Sequence, residues 1–148
     1  IKIGFVTERP RYVIAAFQTD RNDNAKTDTS RFDHCNLVNM KLYLNNQVYP
    51  YDDMGLNFTQ KRIGILYDMY ARFQNSYYGK EISKPFMQDN EVFNSVAPIV
   101  VIDCSLQHES VKSLAPVDVR LEFETNDVIP AKTSVYCLII SEQIFQYN

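Results

Sequence analysis

Apolar and polar side chains alternate along several stretches of this chain, and the most informative stretch covers residues 33–53. From residue 36 to residue 44, apolar side chains occupy most even positions, while polar ones such as Asn39 and Lys41 occupy odd positions. A period of two is typical of a strand that has one face in a core. We therefore expect one long strand that ends at the corner Tyr49-Pro50-Tyr51, just before an amphipathic helix.

Alternation and short apolar runs also predict the remaining strands. Residues 12–17 are apolar enough to be buried on both faces of a sheet, and residues 117–124 alternate between apolar and charged side chains throughout. Residues 135–140 read as a central strand. The full set of further strands is residues 1–6, 11–19, 99–102, 117–124, 135–140 and 143–147.

A helix is predicted where the apolar spacing changes from two to three or four. Thr59 is a plausible N-cap for this helix and Gly79 a plausible C-terminal end. Asp89 or Asn90 could cap a shorter second helix. We expect the first helix to lie across a sheet or along its edge. Its apolar stripe consists of Ile63, Leu66, Met69, Tyr70, Phe73 and Tyr77.

The irregular spacing of the strands, the long loops and the few helices predict an all-β fold with a helical insertion. A jelly-roll β-sandwich is the leading topology. The 148 residues contain no internal repeat and no linker, so we expect one domain over residues 1–148. Because the chain starts at Ile1 in strand-like sequence, we expect either a processed product or a piece of something longer.

Composition excludes several classes of protein. The net charge is −3 and no basic block is longer than Lys61-Arg62, which argues against direct contact with nucleic acid. No secretion signal and no apolar run near the length of a membrane span is present. Cys35, Cys104 and Cys137 lie far apart, which indicates free thiols and a reduced, intracellular setting.

One cluster superficially offers the parts of a hydrolytic triad. It consists of Asp103, Ser105, His108, Glu109 and Ser110. No Gly-x-Ser-x-Gly elbow accompanies it, and a strand end followed by a polar turn explains the same residues. We therefore predict no catalytic residues and expect a protein that is not an enzyme.

Metal and cofactor sites are not predicted either. His34 and His108 are the two histidines, too few for a cupin-type metal site. The acidic pair Asp52-Asp53 suits a turn better than a calcium site. An exposed sheet face explains the carboxylates at positions 122 and 124, and four glycines leave no phosphate-binding loop.

Tyrosines are the remaining candidates for a functional surface. Tyr49 and Tyr51 flank Pro50, while Tyr77 and Tyr78 close the first helix. A tyrosine combines a large apolar ring with a hydroxyl group, which suits a sugar-stacking platform, a protein interface, or partial burial against the sandwich. Taken together, these four residues favour a protein interface.

Short motifs along nearly the whole chain resemble one family, the major capsid protein of Polinton/Maverick elements and adintovirus-like viruses. The motifs occur in order at residues 9–14 (RPRYVI), 32–36 (FDHCN), 41–45 (KLYLN), 49–51 (YPY), 65–70 (ILYDMY), 77–79 (YYG), 101–105 (VIDCS) and 117–124 (VDVRLEFE).

The resemblance implies a hexon-type protein built from two jelly rolls that trimerises into a pseudo-hexagonal capsomer, without catalytic residues. In that family these motifs belong to the C-terminal half, whereas 148 residues hold one jelly roll. The chain is then either a fragment or an element-derived gene reduced to one domain. We expect a homo-oligomer whose partners are other copies of itself or a second jelly-roll domain, in a virion or inside a cell. The alternative is a repurposed module that binds carbohydrate or a protein.

Overall fold

The computed structural model describes residues 2–7, 9–87, 89–106 and 116–141, and of the first strand it describes only the backbone besides Gly4. The strand predicted at residues 143–147 lies outside the described residues. In chain order the elements are β1 (Lys2–Thr7), β2 (Pro10–Thr19), β3 (Leu37–Leu44), β4 (Gln47–Tyr49), α1 (Gly64–Tyr78), α2 (Asn90–Val96), β5 (Val100–Asp103), β6 (Val117–Thr125) and β7 (Thr133–Ser141).

The strands form two antiparallel sheets. One sheet has the order β1-β6-β3-β4 and the other the order β5-β2-β7. Apolar residues from both sheets make one main core, in which Phe17 of β2 meets Phe123 of β6 edge-to-face, with ring centroids 5.1 Å apart. The predicted all-β sandwich with a helical insertion is therefore confirmed.

Strand β6 has the alternation of buried apolar and outward-facing charged side chains that its sequence predicts. Its apolar residues Val117, Val119, Leu121 and Phe123 are buried, and the charged residues between them face outward or are half-buried. Because successive side chains of a strand point to opposite faces, this alternation places one face of β6 in the core. β6 lies between β1 and β3, so it anchors the middle of the four-stranded sheet.

The prediction of one long strand before the proline corner is wrong. The chain reverses at Asn45 and Asn46, and β4 returns antiparallel to β3 with Leu44 opposite Gln47. Asn45 has a φ of 52°, a left-handed conformation that asparagine tolerates better than most residues. Its backbone N–H donates to the carbonyl oxygen of Asp118, 2.9 Å away, which ties the turn to β6.

The alternation of buried and exposed side chains in β3 does not begin where the sequence predicts. Pairing with β6 shifts register between Leu37 and Asn39, so Leu37 is buried while Val38 is only half-buried. A bulge of this kind adds one residue to a strand and exchanges the faces on either side of it. The later positions Met40, Leu42 and Leu44 follow the predicted pattern and are fully buried.

The first helix begins later than predicted. Thr59 is not its N-cap: α1 starts at Gly64, after Ile63, with no side-chain cap. Residues 57–62 instead form a tight turn, in which the side-chain oxygen of Asn57 accepts the backbone N–H of Gln60 at 2.9 Å. The predicted end at Gly79 is confirmed, with φ 67°, and Asp89 caps α2 as expected.

Helix α1 covers part of the outer face of the three-stranded sheet. Its Phe73 packs edge-to-face on Tyr12 of β2 with ring centroids 5.0 Å apart, and both join Val101 of β5 in a second small core. β2 is therefore buried on both faces, as its apolar sequence predicted. Neither described helix has the length or the apolar run needed to span a lipid bilayer.

The prediction that residues 135–140 form a central strand is wrong. Among the described strands, β7 lies at the end of its sheet, with β2 as its one neighbour. Tyr136 and Leu138 are 46% and 59% exposed, and Cys137 is exposed as well. Hydrophobicity reports whether the faces of a strand are covered, and it carries no information on how many neighbours the strand's edges have.

Candidate interaction surfaces

The C-terminal end of α1 carries a group of exposed aromatic and aliphatic side chains, which we call the aromatic patch. Tyr77, Tyr78 and Phe86 are 46%, 56% and 66% exposed, and the neighbouring Ile82 is 47% exposed. Ring centroids of Tyr77 and Tyr78 lie 4.9 Å apart, and those of Tyr78 and Phe86 lie 6.2 Å apart. Exposed apolar side chains that lie next to one another are typical of an interaction surface.

Lys80 belongs to the same patch. Its Nζ atom lies 4.5 Å from the centroid of the Phe86 ring, a cation–π distance. The helix ends at Gly79 directly before it, and the side chain of Asn75 donates to the carbonyl oxygen of Lys80 at 2.7 Å. The turn after the helix is thus held in place while its apolar rings remain exposed.

The patch rests on the second core. Tyr77 stacks on Phe73 with centroids 5.3 Å apart, and Phe73 itself is buried against Tyr12. The hydroxyl of Tyr12 donates to the Oγ atom of Ser76 at 2.8 Å, which fixes the last turn of α1 to the sheet. Because the inner rings are fixed by packing, little side-chain entropy remains to be lost when a partner binds the outer ones.

The other two predicted tyrosines lie at the proline corner after β4. Tyr49 is half-buried against the main core, and its hydroxyl donates to Gln47 at 2.7 Å. Burial raises the pKa of Tyr49. Tyr51 is 85% exposed, and its carbonyl oxygen accepts from Lys41 at 2.7 Å. The four predicted tyrosines are therefore divided between the four-stranded sheet and the helix that covers the other sheet.

Charged side chains next to this corner form ion pairs with one another. Lys41 pairs with Asp53 at 2.9 Å, and a hydrogen bond from Lys41 holds the pKa of the Asp53 carboxyl below its usual range. Asn39 also donates to Asp53, at 3.1 Å. On β6, Arg120 pairs with Glu122 at 3.2 Å. The Arg120–Glu122 pair fits the sheet-face interpretation, whereas Asp53 bonds to side chains of β3, and the turn interpretation of Asp52-Asp53 stays a prediction.

The cluster with triad-like composition lies at the end of β5. A carboxylate oxygen of Asp103 accepts the backbone N–H of Ser105 at 2.8 Å, which is the geometry of an Asp-initiated turn. His108, Glu109 and Ser110 lie outside the described residues. The contacts of Asp103 and Ser105 match the turn interpretation.

His34 and Cys35 lie in a turn before β3 and not on a strand, since Cys35 and Asn36 have positive φ values of 48° and 49°. The His34 ring stacks on Phe58 with centroids 4.4 Å apart, and its Nδ1 atom accepts the backbone N–H of Asn36 at 2.9 Å. Burial lowers the pKa of His34. Within residues 2–7, 9–87, 89–106 and 116–141, no three His, Cys, Asp or Glu side chains are grouped to hold a metal ion.

Sequence reasoning missed part of the aromatic patch. Tyr77 and Tyr78 were found because they are adjacent at a helix end, but Phe86, Ile82 and Lys80 follow in a segment without periodicity. The one signal available was the density of aromatic and aliphatic residues after Gly79. It could not show that the chain folds back and brings Phe86 against Tyr78.

Comparison with known proteins identifies one family. The family described as double jelly roll-like domain matches residues 1–145. Neither a curated protein nor a solved structure matches the chain significantly. The two antiparallel sheets around a common core agree with a jelly-roll sandwich.

Proposed function

Since the chain belongs to the double jelly roll-like domain family, we propose that it is a structural, self-associating capsid-type protein. We further propose that it acts as a hexon-like component related to the major capsid proteins of viruses or of large DNA transposons of the Polinton/Maverick kind. Its partners are other copies of itself or a second jelly-roll domain, its oligomer is a trimer, and it resides in a virion or inside a cell.

The aromatic patch is the observation that carries this proposal. Tyrosine and other aromatic residues are enriched among the residues that dominate binding energy in protein interfaces. In the patch, the exposed rings of Tyr77, Tyr78 and Phe86 lie at a helix end that buried rings hold in place, and Ile82, which follows in the sequence, is exposed as well.

The exposed apolar side chains of the patch are better suited to contact with another protein than to contact with water. A stable interface usually buries on the order of 1,200 Å² or more, with apolar side chains at its centre and polar ones at its rim. Phe86 and Tyr78 supply the apolar centre, and Lys80 supplies a charge at its side. We expect the patch to contact a neighbouring copy within the oligomer.

Sedimentation velocity over a range of concentrations tests this proposal. We expect the chain to form an oligomer, and the double variant Tyr78→Ser/Phe86→Ser to weaken its association at least about tenfold, because truncating central interface residues typically costs more than 1 kcal/mol. Val128→Ser is the control, since Val128 is a 95% exposed apolar residue outside the patch. A chain that remains monomeric at every concentration would contradict the proposal.

A second candidate function is a binding module for carbohydrate or for a different protein, and the exposure of Tyr51 favours it. An 85% exposed aromatic ring beside a proline is a surface on which a sugar ring can stack. A glycan array probed with the chain and with Tyr51→Ala tests this function. Binding that the variant loses would support it, whereas an array without any signal would rule out the carbohydrate form.

A further inference from the structure

The edge of β7 is unusual for an exposed strand. β7 covers nine residues, Thr133–Ser141, and its sequence TSVYCLIIS contains no charged residue and no proline. Soluble proteins normally protect such an edge with a lysine, a proline, a bulge or a covering segment. No described strand or helix covers this edge, since β7 ends its sheet beside β2.

Both faces of β7 are already committed to the fold. Val135 and Ile139 pack against the main core, and Ile140 packs against the second core on the outer face. Tyr136 and Leu138 share that outer face but extend beyond it into solvent. The strand is thus held rigidly in the sheet by β2, while its other edge presents backbone N–H and C=O groups in an apolar setting.

The sheet that β7 ends has fewer described strands than the other sheet. A jelly roll usually has eight strands in two sheets. The described strands number four in one sheet and three in the other, and β7 ends the shorter sheet. Pairing at this edge would extend the shorter sheet.

We propose that β7 pairs antiparallel with β7 of a second copy of this chain, about a two-fold axis through Cys137. This inference rests on the proposed self-association and names one of its contacts. The two three-stranded sheets would join into one continuous six-stranded sheet. The contact is isologous, because the same strand contributes to both sides.

The sequence of β7 complements itself in this register. With Cys137 opposite its own copy, Tyr136 lies opposite Leu138, and Val135 lies opposite Ile139. Thr133 lies opposite Ser141 at the ends. Aromatic–aliphatic and β-branched pairs stabilise antiparallel sheets, and the absence of charge within the strand removes the repulsion that usually blocks edge pairing.

This contact uses residues of β7, none of which belongs to the aromatic patch. A patch contact that closes a trimer and a two-fold contact between trimers would together build an extended lattice. One strand pair is a small contact beside the roughly 1,200 Å² of a stable interface. We therefore expect weak pairing between single chains and stronger pairing between oligomers, where several contacts act together.

Cysteine crosslinking is the first test. Cβ atoms directly opposite in an antiparallel pair lie about 4.5–5.5 Å apart, within reach of a short bismaleimide. In a Cys35→Ser background, Cys137 is the accessible thiol, because its side chain is exposed whereas that of Cys104 is fully buried. We expect a covalent dimer through Cys137 and none when Cys137→Ser is added.

A charge-swap series tests the register. Leu138→Lys and Tyr136→Glu should each weaken the dimer about tenfold or more, since each places a charge in the apolar pairing. The double variant brings the introduced lysine of one copy opposite the introduced glutamate of the other and should recover most of the loss. Val128→Lys is the control for added charge, because Val128 is 95% exposed outside the strand. Far-ultraviolet circular dichroism checks that each variant is folded.

The outcomes separate this inference from the proposed function. An oligomer that the β7 variants leave intact, without a Cys137 crosslink, would overturn the β7 contact and retain self-association. A monomer under all conditions would overturn both. In a longer form of the polypeptide, Cys137 could fail to react with the bismaleimide while the protein stays monomeric. This result would show that a strand of the same chain pairs with the β7 edge, and it would overturn the pairing between copies.

Discussion

Phe93 is the residue whose replacement most directly tests how the helices are attached to the sandwich. It is fully buried in α2, although its neighbour Val92 is 45% exposed. Its ring contacts Tyr67 and Tyr70 of α1, with centroid distances of 5.6 Å and 5.3 Å. One side chain therefore joins α2, α1 and the main core.

The expected cost of Phe93→Ala follows from these contacts. Truncating a buried phenylalanine costs about 3–5 kcal/mol, because transfer free energy is lost and a cavity remains. Each aromatic pair adds about 0.5–1.5 kcal/mol beyond its buried area, so the two pairs of Phe93 favour the upper part of that range. A domain of this size has a total free energy of unfolding of about 5–15 kcal/mol, so the change should be large.

Urea unfolding followed by circular dichroism measures this loss. We expect Phe93→Ala to lower the free energy of unfolding by about 4–5 kcal/mol, and in a separate thermal unfolding experiment to lower the midpoint temperature by roughly 10–15 °C. The control Val92→Ala, one residue away on the exposed side, should change stability by less than about 0.5 kcal/mol. A loss below about 1.5 kcal/mol for Phe93→Ala would refute the view that this ring anchors the helices.

Two further predictions concern single positions. Gly79→Ala should lower the free energy of unfolding in urea by about 1 kcal/mol. Space for a methyl group is free, but the φ of 67° is unfavourable for alanine. An unchanged urea midpoint would refute the left-handed cap. The pKa of His34 is lowered, and its neutral ring accepts a hydrogen bond at Nδ1. The neutral ring therefore stabilises the folded chain above about pH 6.5, and this contribution is lost as the pH falls and the ring takes up a proton. His34→Phe should therefore reduce the decline of stability between about pH 7 and pH 5 in parallel urea titrations, and an equally steep decline would exclude His34 as its source.

Elements governed by local periodicity were predictable from the sequence. The alternation of β6 and the helical stripe through Leu66, Tyr70 and Phe73 correspond to faces that the structure buries. Gly79 ends α1 as predicted, because glycine adopts positive φ without steric cost. In these cases the physical cause acts within a few neighbouring residues, so the sequence contains it.

Turn chemistry was less predictable where two local options compete. Thr59 has the chemistry of an N-cap, but Asn57 closes a turn over residues 57–62 and delays the helix to Gly64. Asn45 reverses the chain within what reads as a continuous strand. The turn at Asn45 also has a partner far along the chain, the carbonyl oxygen of Asp118.

The sequence by itself determined the fold class, most strand and helix positions, and two of the aromatic residues at the end of α1. Only the tertiary structure decided that Phe86 joins Tyr78 in the patch, and that β7 ends its sheet with Tyr136 and Leu138 exposed. The physical reason is that periodicity encodes which face of an element is apolar. Which neighbour covers that face, and which edge remains open, depends on contacts between residues distant in the chain.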